Sequence, residues 1–116
     1  MPAVIVKHME EKLAEKGKKL EGAKIGVLGL AMKDYSNDDR ISPPVEIVKL
    51  LLEKGAIVKA YDPAVPTKYD FKVDSIEECL QDVDGVMILA RQREIEANVK
   101  KVVKYDCQII DTKRLL

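Results

Sequence analysis

Hydrophobic residues occur along the chain in short continuous runs and in runs spaced three or four residues apart. The continuous runs are typical of strands buried on both faces of a sheet, and they occupy residues 24–30, 56–63, 84–90 and 107–111. A weaker segment at 69–74 is compatible with a short edge strand. Helical patterns separate the runs, so the sequence predicts an α/β fold: a three-layer αβα Rossmann-like parallel sheet.

Capping residues mark where the helices of this fold begin and end. Ser42 is a good N-cap, Pro43 suits the first helical position and Gly55 ends that helix. SIEE at 75–78 reads as a capping box, which opens a second helix. The apolar stripes predict core faces on these helices and on a later one: Ile47, Val48, Leu51 and Leu52; Ile76, Cys79, Leu80 and Val83; Ile95, Val99, Val102 and Val103.

A charged helix precedes the first strand. Residues 4–16 place Ile5, Met9 and Leu13 on one narrow stripe, and Gly17 provides a stop. The helix is either the end of a connector from a central region upstream or a strap across the sheet. We predict a connector helix at 1–20 and a domain at 21–116. The stripe should fold back on this domain or bury itself against a second copy, as a homodimer.

Composition excludes several classes of protein. The 116 residues suit one domain, and 20 basic residues balance 20 acidic ones, so no net field favours nucleic acid or an anionic membrane. No apolar run approaches the ~18 residues of a membrane span, and the N-terminus lacks a signal-peptide core, so we expect a cytoplasmic location. Cys79 and Cys107 form no CxxC pair and His8 has no partner at metal-ligand spacing. We therefore predict no metal site and no catalytic residue, with Cys79 a buried structural thiol.

One polar segment is longer than its counterparts. Residues 31–44, AMKDYSNDDRISPP, join the first predicted strand to a helix, whereas such connections usually run about 2–6 residues. If the chain winds as half of a Rossmann fold does, a crevice opens at the C-terminal ends of strands 24–30 and 84–90. This segment and ARQRE at 90–94 both emerge there. The topology therefore predicts a ligand site at this place.

The charges of the long segment suit a phosphorylated small molecule, for which a nucleotide is a natural candidate. Lys33 and Arg40 supply cationic donors, and the helix beginning near Pro43 adds backbone N–H groups and a partial positive charge. The alternative is that Arg40 pairs with Asp38 or Asp39 and only braces the segment. Composition favours neither interpretation.

An independent NAD site is not expected. Gly26 and Gly29 in GVLGLA do not complete a G-x-G-x-x-G fingerprint. Asp62 follows the second strand at the position of a ribose-binding acid, but an aspartate before proline is also a common turn-former.

The motifs together resemble the C-terminal domain of the UDP-glucose/GDP-mannose dehydrogenase family. That domain typically reads I-x-V-L-G-L-[AS]-F-K, a polar loop, D-x-R-x-S-P, a helix and V-x-x-Y-D-P. Here the chain reads KIGVLGLAMKDYSNDDRISPPVEIVKLLLEKGAIVKAYDP. The likeness continues through SIEECLQDVDGVMILA to IIDTKRLL, so it covers essentially the whole chain.

The resemblance implies an activity and the residues that serve it. Family members oxidise the C6 hydroxyl of a nucleotide sugar to a carboxylate in two NAD-dependent steps. Met32 and Lys33 match the pair that meets the substrate, with Lys33 near the sugar and diphosphate. Arg40 matches the arginine that reaches toward NAD. The family's terminal substrate-binding arginine aligns with Lys113, which Arg114 follows, so both are substrate-binding candidates.

The resemblance further implies a nucleotide-sugar-binding domain of an NAD-dependent UDP-sugar 6-dehydrogenase acting on UDP-glucose or UDP-N-acetylmannosamine. NAD would be held mainly by an N-terminal domain, and the NAD-binding and central domains would be this chain's partners. Neither cysteine lies in the family's catalytic motif, G-x-G-x-G-G-x-C-[FL]-P, so the chain alone is expected to be inactive. Two other functions stay open: a stand-alone Rossmann-like nucleotide-binding module without catalysis, or a structural or assembly domain.

Overall fold

A computed structural model describes residues 2–31, 35, 42–104 and 107–113 of the chain. Strands and helices alternate in them as the hydrophobic pattern predicts. The elements are α1 (Pro2–Ala14), β1 (Lys24–Leu28), α2 (Pro43–Glu53), β2 (Ile57–Tyr61), α3 (Ile76–Leu80), β3 (Gly85–Ile88), α4 (Arg93–Asn98), a 3₁₀ helix (Val99–Lys104) and β4 (Gln108–Asp111).

The four strands form one sheet in the order β2-β1-β3-β4, and all neighbouring pairs are parallel. The chain leaves β1 toward β2 and later returns to β3 on the other side of β1. The change of direction therefore lies between β1 and β3, where the sequence predicts it. The segment 69–74 contributes one parallel bridge, from Lys72 to Ala60, rather than a full strand.

Helices cover both faces of the sheet because successive strand side chains point to opposite sides. One apolar cluster packs α1 and α2 on the first face and includes Ile25, Val27, Met87, Val48 and Leu51. The other packs α3, α4 and the 3₁₀ helix on the second face and includes Leu28, Val86, Ile88, Leu80 and Val102. The predicted three-layer αβα architecture is confirmed.

Helix α1 packs against the first face of the sheet. Met9 and Leu13 are fully buried, and Val6 completes their stripe, whereas Ile5 is only partly buried. A Cβ added at Gly85 would lie 2.7 Å from Met9 Sδ, so β3 begins with a residue small enough to let α1 approach. The prediction that the stripe folds back on this domain is confirmed. The connector helix at 1–20 stays a prediction.

The predicted caps are present, with one error in a core face. Ser42 caps α2, and Ser75 Oγ accepts a hydrogen bond from Glu78 N at 3.2 Å. Leu52 is 44% exposed, so its assignment to the core is wrong. Leu52 follows the fully buried Leu51, and one residue turns a helix by about 100°, which rotates it toward solvent.

Candidate functional site

All four strands end at the same edge of the sheet because they are parallel. The residues that follow them, 29–31, 62–65, 89–92 and 112–113, therefore lie together, and we call these four segments the sheet mouth. Polar groups from each segment meet at the sheet mouth, as the following contacts show.

Asp62 holds three of these segments together. The side chain is fully buried, and its two oxygens accept five hydrogen bonds. Oδ2 accepts from Leu30 N at 2.8 Å, Ala31 N at 3.2 Å and Gln92 Nε2 at 3.3 Å, and Oδ1 accepts from Ala64 N at 3.0 Å and Val65 N at 3.3 Å. A carboxylate enclosed in this way is a structural anchor. The structure favours the turn-forming role of Asp62 over a ribose-binding one.

The chain leaves β1 through a glycine that no other residue could replace without strain. Gly29 has φ +99°, and a Cβ there would lie 2.6 Å from the backbone nitrogen of Ala90. Its N–H donates to Tyr61 O at 2.9 Å, which fixes the exit from β1 beside β2. Leu30 and Ala31 are thereby directed toward the carboxylate of Asp62.

Ser42 closes the other end of the long segment. Its hydroxyl donates to Leu30 O at 2.6 Å and accepts from Val45 N at 3.5 Å, and the residue is only 2% exposed. The ends of the segment 31–42 are therefore joined at the sheet mouth.

The start of α2 offers phosphate fewer donors than we expect from the sequence. Pro43 and Pro44 have no N–H, Val45 N donates to the Ser42 hydroxyl, and Glu46 N donates to Ser42 O at 3.1 Å. The expectation that this helix supplies backbone N–H groups to a phosphate is therefore wrong. Only its partial positive charge remains.

Tyr35 connects the long segment to the chain after β3. Its N–H donates to Arg91 O at 2.7 Å, with φ 60° at Tyr35. A hydrogen bond to the Glu96 carboxylate is the main cause that raises the pKa of the Tyr35 phenol, while Arg91 acts in the opposite direction. Beside these groups opens a cleft of about 680 Å³, lined by Tyr35, Gln92, Arg93, Glu94 and Glu96.

The chain after β4 is fixed at the same place. Thr112 Oγ1 donates to Ile88 O at 2.6 Å, and Thr112 N donates to the same oxygen at 3.1 Å. Lys113 N donates to Asp111 Oδ1 at 3.1 Å, and Lys113 O accepts from Arg91 Nη2 at 2.6 Å. Both backbone polar groups of Lys113 are thus held, and its partly buried side chain starts from the sheet mouth.

Of the residues predicted to bind substrate or NAD, the structure places Lys113. Met32, Lys33, Arg40 and Arg114 lie outside the described residues, as do the two aspartates proposed to pair with Arg40. The sequence directs attention to ARQRE as emerging at the crevice but gives no role to its members. The contacts of Arg91 and Gln92 join residues far apart in the sequence, so no local spacing predicts them.

Neither cysteine lies at the sheet mouth: Cys79 is inside the core, and Cys107 is at the opposite edge of the sheet. Cys79 is fully buried, its Sγ lies 3.5 Å from Val27 O and 3.3 Å from Lys59 O, and desolvation raises its pKa to about 12. The predicted structural thiol is confirmed. Cys107 lines a cleft of about 220 Å³ with Lys18 and Asp84, beside the residues that begin β3 and β4. That is the opposite edge of the sheet.

The described part of the chain contains no group of three His, Cys, Asp or Glu side chains placed to hold a metal ion. Nor does any helix within it have the length and apolar character needed to cross a membrane.

Two curated relatives are dehydrogenases of nucleotide sugars. UDP-N-acetyl-D-mannosamine dehydrogenase of Methanococcus maripaludis is 30% identical over 106 residues, which are 91% of this chain and 23% of the relative. UDP-glucose 6-dehydrogenase of Bacillus subtilis is 34% identical over an alignment of 119 positions, which covers 93% of this chain and 26% of the relative. The chain therefore spans about a quarter of the length of the relatives it matches.

Solved structures agree on the fold over nearly every residue. NDP-N-acetyl-D-galactosaminuronic acid dehydrogenase from Methanosarcina mazei Go1 superposes with a TM-score of 0.85 at 28% identity, over 99% of this chain and 26% of that one. A UDP-glucose dehydrogenase from Pyrobaculum islandicum gives a TM-score of 0.79 at 31% identity, over 98% of this chain and 26% of that one.

The match to a family model completes the assignment. Residues 26–116 match the model of the UDP-glucose/GDP-mannose dehydrogenase family, UDP binding domain. That match takes in every strand of the sheet except the first two residues of β1, and all four segments of the sheet mouth. The chain belongs to the UDP-glucose/GDP-mannose dehydrogenase family, in which it corresponds to the UDP-binding domain.

Proposed function

We propose that this chain binds a UDP-sugar at the sheet mouth, as the nucleotide-sugar-binding domain of an NAD-dependent UDP-sugar 6-dehydrogenase. The substrate would be UDP-glucose or UDP-N-acetylmannosamine, which would be oxidised to the uronic acid. The relatives' names support these two sugars. NAD would be held mainly by an N-terminal domain, and the NAD-binding and central domains of the whole enzyme would be the partners.

The observation that carries the proposal is the convergence at the sheet mouth. The segment 31–42, which contains Lys33, has both ends joined there, and Lys113 starts from the same edge with its backbone fixed. Ammonium groups placed at the carboxyl ends of parallel strands are suited to a diphosphate. We assign substrate binding to Met32, Lys33, Lys113 and Arg114, and contact with NAD to Arg40.

The structure weakens the main support for a stand-alone NAD-binding module. That alternative depends on Asp62 as a ribose-binding acid, yet five donors already occupy the carboxylate. A ribose hydroxyl pair would have to displace at least one of these donors, of which the Gln92 side-chain amide is one and four are backbone N–H groups. We therefore expect tighter binding of UDP than of NAD.

Calorimetric titration of the chain with UDP-glucose, UDP-N-acetylmannosamine, UDP, NAD and GDP-mannose tests the proposal. Lys33→Ala should weaken UDP binding roughly ten- to a hundredfold, since a charge-assisted hydrogen bond to phosphate is worth about 1.5–3 kcal/mol. Arg40→Ala removes the same charge from the same segment and should change UDP binding little, because its proposed partner is NAD held by another domain.

Two results would contradict this assignment. One is UDP binding that neither Lys33→Ala nor Lys113→Met weakens. The other is the pattern expected if Arg40 only braces the segment: a lower melting temperature for Arg40→Ala, with no change in UDP binding for Lys33→Ala.

Activity gives a separate test. We expect the 116-residue chain to produce no NADH from NAD and either UDP-sugar. Cys79 is enclosed and has a pKa of about 12, so almost none of it is thiolate at neutral pH, and Cys107 lies at the opposite edge of the sheet. NADH formation that is lost in Cys79→Ala or Cys107→Ala would contradict the proposal.

A further inference from the structure

Arg91 is the residue through which two segments of the sheet mouth meet. Its backbone carbonyl accepts from Tyr35 N at 2.7 Å, and its guanidinium donates from Nη2 to Lys113 O at 2.6 Å. Tyr35 follows Lys33 by two positions in the sequence. One residue after β3 thus contacts both the long segment after β1 and the segment after β4.

Arg91 holds the backbone of Lys113 on its carbonyl side. Among the described residues no element follows β4, and hydrogen bonds fix the chain there instead: Thr112 Oγ1 and Thr112 N donate to Ile88 O, Lys113 N donates to Asp111 Oδ1, and Arg91 Nη2 donates to Lys113 O. Only the last of these acts on the residue's carbonyl side. A short hydrogen bond from a charged, planar donor is strong and directional.

We propose that Arg91 is a positioning residue for the nucleotide site, which fixes the backbone of Lys113 so that the ammonium group reaches the diphosphate. The inference rests on the proposed function, because it needs Lys113 to contact the nucleotide. Arg91 itself contacts protein and acts on the ligand through Lys113.

A double-mutant cycle with UDP as the titrant tests this dependence. Lys113→Met removes the ammonium but leaves the carbonyl that Arg91 binds. Arg91→Met should weaken UDP binding about three- to thirtyfold in the wild-type background and less than about twofold in the Lys113→Met background, because coupled residues are not additive. Lys100→Met is the matched control: it removes one positive charge from an exposed residue of the 3₁₀ helix and should leave UDP binding within about twofold.

A second variant covers the case in which Arg91→Met does not fold. Thr112→Val removes the hydroxyl bond to Ile88 without changing charge, so it should also weaken UDP binding, and again only while Lys113 is present. Melting temperatures are measured on every variant, because a purely structural role would lower them without coupling to Lys113.

The outcomes separate the inference from the function on which it rests. Additive losses for Arg91→Met and Lys113→Met would mean that Arg91 meets the ligand directly. Unchanged UDP binding in both Arg91→Met and Thr112→Val would mean that neither Arg91 nor Thr112 positions Lys113. Either result overturns the inference about Arg91, whereas the proposal that the chain binds a UDP-sugar would still hold. A wild-type chain that binds no UDP overturns the proposed function and the inference with it.

Discussion

Replacement of Asp62 by asparagine separates a structural role of this residue from a ligand-binding one. The side chain is fully buried, and its oxygens accept three and two hydrogen bonds. An asparagine amide has one oxygen and one NH₂ group. Either the three donors at Oδ2 or the two donors at Oδ1 would therefore face an NH₂ group, which cannot accept their hydrogen bonds. The less costly orientation places the nitrogen at Oδ1 and leaves Ala64 N and Val65 N without an acceptor.

The size of the effect follows from those two donors. A buried donor left unsatisfied costs about 1–3 kcal/mol, and Ala64 is only partly buried, so the free energy of unfolding should fall by about 2–4 kcal/mol. For a domain of this length about 1 kcal/mol corresponds to a shift of about 4 °C, which gives a melting temperature lower by about 8–16 °C.

Thermal unfolding followed by circular dichroism measures this difference. Asp70→Asn is the matched control, because it makes the same change at an exposed aspartate and should shift the melting temperature by less than about 2 °C. The reasoning is refuted if Asp62→Asn is as stable as Asp70→Asn and instead loses affinity for NAD. That result would restore Asp62 as a ribose-binding acid.

Three further expectations concern the rest of the domain. Met9→Ala should lower the free energy of unfolding by about 2–5 kcal/mol in denaturant titration, and Val4→Ala, on an exposed turn of the same helix, by less than about 0.5. A thiol reagent at pH 8 should modify Cys107 much faster than Cys79, and equal rates would contradict the burial of Cys79. Hydrogen bonding from Lys24 N, then from Lys18, lowers the pKa of Asp84, so its stabilising contribution is present above the unfolded value near 3.8 and is lost as the pH falls through the lower folded value. Melting temperatures between pH 2 and 5 should therefore depend less on pH in Asp84→Asn, and an unchanged profile would contradict this.

The sequence predicts the fold well because its signals are local. Runs such as 24–30 are apolar on both faces, and caps such as Ser42 and Ser75 mark helix starts by chemistry within four residues. Phase within a helix is harder to predict. Met9 and Leu13 are compatible with either Ile5 or Val6 as the next member of the stripe, since both three- and four-residue spacings share a face, and packing selects Val6.

The sequence predicts the location of the candidate site but not the contacts within it. The strand order puts it at the C-terminal edge between β1 and β3, and alternation alone is enough to expect that. The contact between Gln92 and Asp62 joins residues 30 positions apart, and that between Arg91 and Lys113 joins residues 22 apart. Such pairs depend on how loops fold over the finished sheet, so no spacing rule shows them.

The sheet mouth also explains why a glycine-rich phosphate fingerprint is absent. In such fingerprints the backbone N–H groups after the first strand cradle the phosphates. Here the N–H groups of Leu30 and Ala31 donate to Asp62, and the first donors of α2 are missing or already used. These backbone donors thus serve the protein itself. We therefore expect a diphosphate bound there to be contacted largely by side-chain cations, and Lys113 is the candidate among the described residues. The charge of a partly exposed ammonium group is screened by salt, so we expect UDP binding at this site to weaken with ionic strength more than binding in a backbone cradle does.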